Sequence, residues 1–196
     1  MNRPHGVVVA SKNPDKIAEI EAVLANLDPP MTVIPGHTWD DVDETESTLE
    51  GNALLKARAV VAATGHAAVA DDTGLEAAAL GGAPGVHTAR YAGPNATYDD
   101  NVSKMLSEMA DATDRSASFR TAVALVTSDG ESLVVHGSLD GAITLERRGD
   151  GGFGYDPIFE VDGRTLAEIP PAEKNSMSHR ARALLALADA LASLPH

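Results

Sequence analysis

The chain begins with a short uninterrupted apolar run, Gly6-Val7-Val8-Val9-Ala10, ending at Ser11. A short apolar run of this kind reads as a strand. The period then changes, because Ile17, Ile20, Leu24 and Leu27 recur at helical spacing and mark one buried face. Asn13 suits the N-cap of that helix, Pro14 suits its first turn, and Pro29-Pro30 stops it. A strand over Met31 to Ile34 follows, then an acidic loop from Asp40 to Glu46 and a helix of about Leu49 to Ala63. Ala67-Ala68-Val69-Ala70 is a second buried strand, which Asp71-Asp72-Thr73-Gly74 is expected to end in a turn.

The second half continues with Leu75 to Leu80, the loop Gly81-Gly82-Ala83-Pro84-Gly85, and a helix from about Thr97 with Val102, Met105, Leu106 and Met109 inward. Alternation at Ala117, Phe119, Thr121, Val123 and Leu125 predicts a strand, which Ser128-Asp129-Gly130 turns into Leu133-Val134-Val135. Another strand is expected from Pro157 to Val161. A last helix runs from about Ser178 to Leu194, with Leu184, Leu185, Ala188 and Leu191 as its buried stripe. Strands alternating with helices, without repeats or a linker, predict an α/β fold: one domain over residues 1–196, a mixed sheet with helices on its faces.

Composition narrows the function. With 15 Lys+Arg against 29 Asp+Glu the net charge is −14, which opposes binding of polymeric nucleic acid. A small anion remains acceptable where the few cations converge. The absence of cysteine excludes disulfides, thiolate metal sites and cysteine nucleophiles. No apolar run approaches a membrane span, so a soluble cytoplasmic protein without membrane partners is expected.

Candidate chemistry centres on Asp71 and Asp72. Adjacent carboxylates need a compensating cation, and hard oxygen donors favour Mg²⁺, Mn²⁺ or Ca²⁺; a solvated turn would look the same. Ser11-Lys12-Asn13-Pro14-Asp15-Lys16 stands at a helix start, where exposed N–H groups suit phosphate, although an ordinary capped helix with surface lysines shares the pattern. Lys16 there opposes the helix dipole unless an anion compensates it. Gly151-Gly152-Phe153-Gly154-Tyr155-Asp156-Pro157 combines close backbone approach with a stacking ring, or is a glycine-rich turn around a core Phe. Glu173-Lys174-Asn175 and Ser178-His179-Arg180 gather donors near the last helix. Lys56 lies in a mostly apolar helix below the acidic loop that holds Glu44, either snorkelling or neutralising phosphate. Together these features describe a nucleotide site with a metal, phosphate cations, an aromatic platform and base-edge donors.

In these blocks, and in Asn52-Ala53-Leu54-Leu55-Lys56-Ala57, Asp71 to Leu75, and Pro84-Gly85-Val86 with Ala89-Arg90-Tyr91, the chain resembles the inosine triphosphate pyrophosphatase family. The matches fall in the family's order along nearly the whole chain. The resemblance implies Mg²⁺-dependent hydrolysis of ITP, dITP and XTP to the monophosphate and pyrophosphate. It also implies a homodimer and an elongated mixed sheet, with two lobes and an active-site cleft. By position, Ser11, Lys12, Asn13 and Lys16 would hold phosphates. Asp72 would be the catalytic carboxylate and metal ligand, with Asp71 and Lys56 in support and Glu44 as second metal ligand. Thr73 would contact substrate, Phe153, Gly154, Tyr155 and Asp156 the base, and Lys174, His179 and Arg180 the base edge. Thr73 stands where Ser is commoner, His87-Thr88 replaces a usual Tyr-Ser, and Glu46 or Asp43 competes with Glu44 for the metal role. Two rival readings are a related pyrophosphatase acting on modified pyrimidine nucleotides and a non-catalytic nucleotide-binding protein.

Overall fold

The computed structural model describes residues 3–193. Its strands are β1 (Gly6–Val9), β2 (Thr32–Val33), β3 (Ala68–Ala77), β4 (Pro84–Gly85), β5 (Ser116–Val126), β6 (Ser132–Ile143), β7 (Phe159–Val161) and β8 (Arg164–Thr165). The helices are α1 (Pro14–Ala25), α2 (Leu49–Thr64), α3 (Tyr98–Glu108), α4 (Pro171–Met177) and α5 (His179–Ala192). Strand order is β2-β1-β3-β5-β6-β7-β8, with β4 pairing β3. The expected mixed α/β architecture is what the chain adopts. The chain divides into two compact units, Met1–Asp72 with Thr121–Gly137 and His179–His196, and Thr73–Arg120 with Ser138–Ser178.

In the first unit β1 pairs in parallel with β2 and with the start of β3, Val8 opposite Ala68 and Val9 opposite Val69. Side chains alternate between the faces of a strand. Val7, Val9 and Val69 therefore join Ile20, Leu24, Leu184 and Leu187 in a core under α1 and α5. Val8, Ala10, Ala68 and Ala70 join Ala53, Ala57 and Val60 of α2 in a second core. The apolar run at the N-terminus is the expected strand, and it is buried on both faces. Gly137 lets α5 approach, since a Cβ there would lie 2.2 Å from the His179 carbonyl oxygen and 2.4 Å from Ala183 N.

The second unit is built around Leu75, Met105, Met109, Phe119, Leu139, Ile143, Ile158, Phe159 and Leu166. The far end of β3 pairs antiparallel with β4, and β7 pairs with β6 and β8. Thr88 fastens the segment after β4: its hydroxyl accepts from Leu75 N at 2.7 Å and donates to the Gly85 carbonyl at 2.6 Å.

Several sequence expectations change. The strand does not end in a turn at Asp71-Asp72 but continues to Ala77, carrying both acids in its interior. Leu185 is not in the buried stripe of the last helix; it is exposed, and Leu187 is buried instead with Leu184 and Leu191. Both residues fit a helical stripe, and the packing of α5 on β1 selects the one-turn spacing from Leu184. The expected end of that helix at Leu194 lies outside the described residues. Its start at His179 agrees with the expected one, and Ser178 just before it also closes a separate short helix, α4, that the sequence did not suggest. Residues 156–158 form a single helical turn before β7 rather than part of the strand. No helix among the described residues is long and apolar enough to cross a membrane.

Candidate active site

Because β3 runs through Asp71 and Asp72, the two carboxylates point to opposite faces of the strand. Asp71 follows Val69 towards α1 and α5, whereas Asp72 follows Ala70 towards α2. This alternation answers the charge problem that the sequence poses, since each acid meets its own cations.

On the first face, Lys16 of α1 lies 3.2 Å from Asp71. Arg180 of α5 donates from Nε to the same carboxylate oxygen at 3.1 Å and from Nη1 to Glu19. Burial alone would raise the Asp71 pKa, but Lys16, Arg180 and Lys56 outweigh it and hold the group far below the ordinary carboxylate range. Lys16 is itself pushed down, chiefly by burial, with Asp71 acting against the shift. Its placement in the first turn of α1 is compensated by an acid of the protein. Asn13 caps that helix by accepting from Asp15 N at 2.9 Å and Lys16 N at 3.4 Å, and Ser11 Oγ accepts from Asn13 N at 3.2 Å. Lys12, by contrast, is half-exposed and reaches Asp41 of the acidic loop at 2.5 Å.

On the second face, Lys56 of α2 donates to Asp72 at 2.9 Å and to Glu44 at 2.6 Å. Asn52, one turn earlier on the same helix face, donates to the other Asp72 oxygen at 3.3 Å and fixes the acidic loop by accepting from Glu46 N at 3.0 Å. Glu44 is therefore the acid of that loop that reaches the set; Asp43 and Glu46 are exposed. Burial raises the Asp72 pKa above its ordinary value, with Lys56 opposing the shift and Glu44 adding to it. Lys56 is raised: burial lowers it, but Asp72, Asp71 and Glu44 prevail. The adjacent acids thus differ in character, Asp71 locked as an anion and Asp72 with a raised affinity for protons.

His179 belongs to the same unit and is buried, its Nδ1 2.6 Å from Thr121 Oγ1. No group of three or more His, Cys, Asp or Glu side chains suited to a metal occurs among the described residues. The acidic pair Glu44 and Asp72 fits Mg²⁺ nonetheless, because Mg²⁺ is commonly held by one or two carboxylates together with substrate phosphates.

The second unit holds Thr73, Phe153, Gly154, Tyr155, Asp156 and Lys174. Asp156 accepts from Phe153 N at 2.8 Å and pairs with Lys174 at 2.5 Å, both members of the pair being buried. Lys174 Nζ also stands 4.9 Å from the centroid of the Phe153 ring. Gly152, at φ +69°, is required here, since a Cβ would lie 2.0 Å from the Asp156 carboxylate. Tyr155 is buried and donates from its hydroxyl to the Thr88 carbonyl at 2.9 Å. Thr73 is half-buried in β3.

Sequence reasoning missed Glu19, Asn52 and Thr121 as partners of these groups. Glu19 lies three positions after Lys16 and Asn52 four before Lys56, so helical spacing alone could have placed both beside known candidates. Nothing in the sequence pairs Thr121 with His179.

A profile of the Ham1 family matches residues 7–190. The dITP/XTP pyrophosphatase of Coxiella burnetii is 45% identical over 191 residues, covering 94% of this chain and 96% of the relative. That of Mycobacterium tuberculosis is 47% identical over 196 residues, covering 96% of each. Among solved structures, a HAM1 protein from Coxiella burnetii superposes with a TM-score of 0.84 at 44% identity, covering 96% of this chain and 99% of that one. The Staphylococcus aureus Ham1 protein superposes with a TM-score of 0.80 at 37% identity, covering 95% and 98%. With likeness of this extent in both sequence and fold, the chain belongs to the Ham1 family.

Proposed function

We propose that the protein is a nucleoside triphosphate pyrophosphatase that hydrolyses ITP, dITP and XTP to the monophosphate and pyrophosphate. The relatives named dITP/XTP pyrophosphatase support the substrate class. The observation that carries the chemistry is the set Glu44–Lys56–Asp72, in which one ammonium bridges a buried acid with a raised pKa and a second carboxylate.

Water attacks the α-phosphorus and the bond to the bridging oxygen breaks, releasing pyrophosphate. Asp72 accepts the water's proton, and its raised pKa brings it nearer the working range of a general base. Asp71, held ionised, anchors Lys16 and Arg180 rather than exchanging a proton. Ser11, Lys12, Asn13 and Lys16 at the start of α1 bind phosphate oxygens, and Lys56 offsets charge on the leaving group. Glu44 and Asp72 would hold Mg²⁺, which when bound supplies charge neutralisation at the phosphates.

Phe153 stacks on the base, its loop set by Asp156 and Lys174, with Gly154, Tyr155 and Thr73 completing the contacts. His179 and Arg180 read the 6-keto edge. Adenine presents an amino donor at that edge and leaves a donor facing a donor, at a cost of about 1–3 kcal/mol. The resemblance to the inosine triphosphate pyrophosphatase family extends the proposal to a cytoplasmic homodimer and a single folding domain. Both units are assembled from separated chain segments, which supports the last point.

The test is pyrophosphate release from ITP, dITP, XTP, GTP, ATP and dUTP with Mg²⁺, for the wild type and Asp72→Asn. ITP, dITP and XTP should be strongly preferred. Comparable rates on ATP and ITP would remove the specificity reading, and full activity of Asp72→Asn would remove the catalytic one. Light scattering on the eluted protein reads the oligomeric state.

A further inference from the structure

Tyr98 opens α3, and its ring centroid lies 5.9 Å from that of Phe153, the planes inclined by 39°. The side chain is 45% exposed, so it contributes little to the core of its unit. Two features hold it at this spot. Thr97 and Asp100 form a capping box that fixes the first turn of α3, with Asp100 N donating to Thr97 Oγ1 at 3.2 Å and Thr97 N to the Asp100 carboxylate at 2.8 Å. Arg147, on the segment that leads to Phe153, donates to Asp99 Oδ1 at 2.7 Å, the Asp99 carbonyl at 3.3 Å and Ser103 Oγ at 2.8 Å. That segment is therefore fastened to the same helical turn that carries Tyr98. Each exposed contact is weak by itself, but the capping box and the Asp99 bonds converge on the first turn of α3, and the Ser103 bond joins the turn after it.

Phe153 has its backbone set by Asp156 and Lys174 Nζ near its ring. Tyr98 is the aromatic neighbour of that ring, and a tilted pair at this separation resists reorientation. We propose that Tyr98 is a positioning residue for base recognition, holding the Phe153 ring in the orientation that receives the purine. The inference rests on the reading of Phe153 as the stacking platform.

The experiment is steady-state pyrophosphate release from ITP with Mg²⁺ for the wild type, Tyr98→Ala, Tyr98→Leu, Tyr98→Phe, Phe153→Ala and the Tyr98→Ala/Phe153→Ala double variant. Loss of the ring in Tyr98→Ala or Tyr98→Leu should raise KM about 2- to 12-fold, the range of an aromatic pair, with kcat within about twofold of the wild type. Tyr98→Phe keeps the ring and should restore the wild-type KM. The double variant should bind no worse than Phe153→Ala alone, because Tyr98 acts through that ring. The inference is overturned where Phe153→Ala raises KM while Tyr98→Ala and Tyr98→Leu leave it unchanged. It is also overturned where the two effects multiply, or where Tyr98→Phe fails to rescue. Should Phe153→Ala itself leave KM unchanged, the platform reading fails first and takes this inference with it.

Discussion

Replacing Asp71 with Asn should damage the fold far more than the same change at Asp72, although the two are neighbours in one strand. The Asp71 side chain is 1% exposed and lies between Lys16 at 3.2 Å and Arg180 at 3.1 Å. Asn keeps the shape and one acceptor but leaves the part-buried Lys16 and the buried Arg180 without the charge between them, Glu19 remaining as a partner of Arg180. Removing one member of a buried ion pair costs about 3–5 kcal/mol. Over 196 residues the entropy of unfolding is about 0.4 kcal/mol/K, so the midpoint should fall by about 7–12 °C. At Asp72 the neutral variant leaves Lys56 paired with Glu44 at 2.6 Å and removes the repulsion between two carboxylates. A loss of about 1 kcal/mol, or about 2–3 °C, is expected there. Activity should fall by roughly 10²-fold or more for Asp72→Asn, the usual scale for a missing general base. Thermal unfolding by circular dichroism at pH 7 measures the first comparison and pyrophosphate release the second. An Asp72→Asn variant that melts as low as Asp71→Asn would refute the assignment of one acid to structure and the other to chemistry.

Three further outcomes follow from contacts in the second unit. Lys174→Ala leaves the buried Asp156 without its ammonium and should cost about 3–5 kcal/mol, read as a lowered melting midpoint, whereas a melting curve like the wild type's would show that solvent reaches Asp156. Gly152→Ala combines a left-handed backbone with a methyl 2.0 Å from the Asp156 carboxylate, so KM for ITP should rise, and an unchanged KM would mean the loop relocates without consequence. Thr88→Ala strands Leu75 N and the Gly85 carbonyl and should cost about 1–3 kcal/mol, while Thr88→Ser retains both bonds and should melt within about 1 kcal/mol of the wild type.

Most elements were legible from period and punctuation. Asn13-Pro14 marks the start of α1, Thr97 caps α3, and Ser128-Asp129-Gly130 turns β5 into β6. The main failure is instructive. Two acids side by side read as the end of a strand because a strand interior is a poor place for charge. Their stability there comes from Lys16, Lys56 and Arg180, which three different helices bring to the two faces. Cations so remote in sequence cannot be assigned to either acid from the local pattern. The short helix α4 escaped for another reason: its seven residues carry no apolar stripe, and only Pro171 in its first turn hints at a helix. Within the site, the candidate residues were legible as types, but which acid of the 43–46 loop turns inward was not, because it depends on Asn52 holding Glu46 N.

The last helix gives the first unit an order of completion. Arg180 bonds Asp71, 109 positions earlier, and Glu19, 161 positions earlier. On the ribosome, α1 and β3 emerge long before the guanidinium that joins them is made. The core of the first unit, which includes Leu184, Leu187 and Leu191, is therefore completed only once α5 has been made. A stop codon just before α5 would consequently remove Leu184, Leu187 and Leu191 together with Arg180, so the truncated product would expose the apolar face of β1 and β3 as well as losing the guanidinium that joins Glu19 to Asp71.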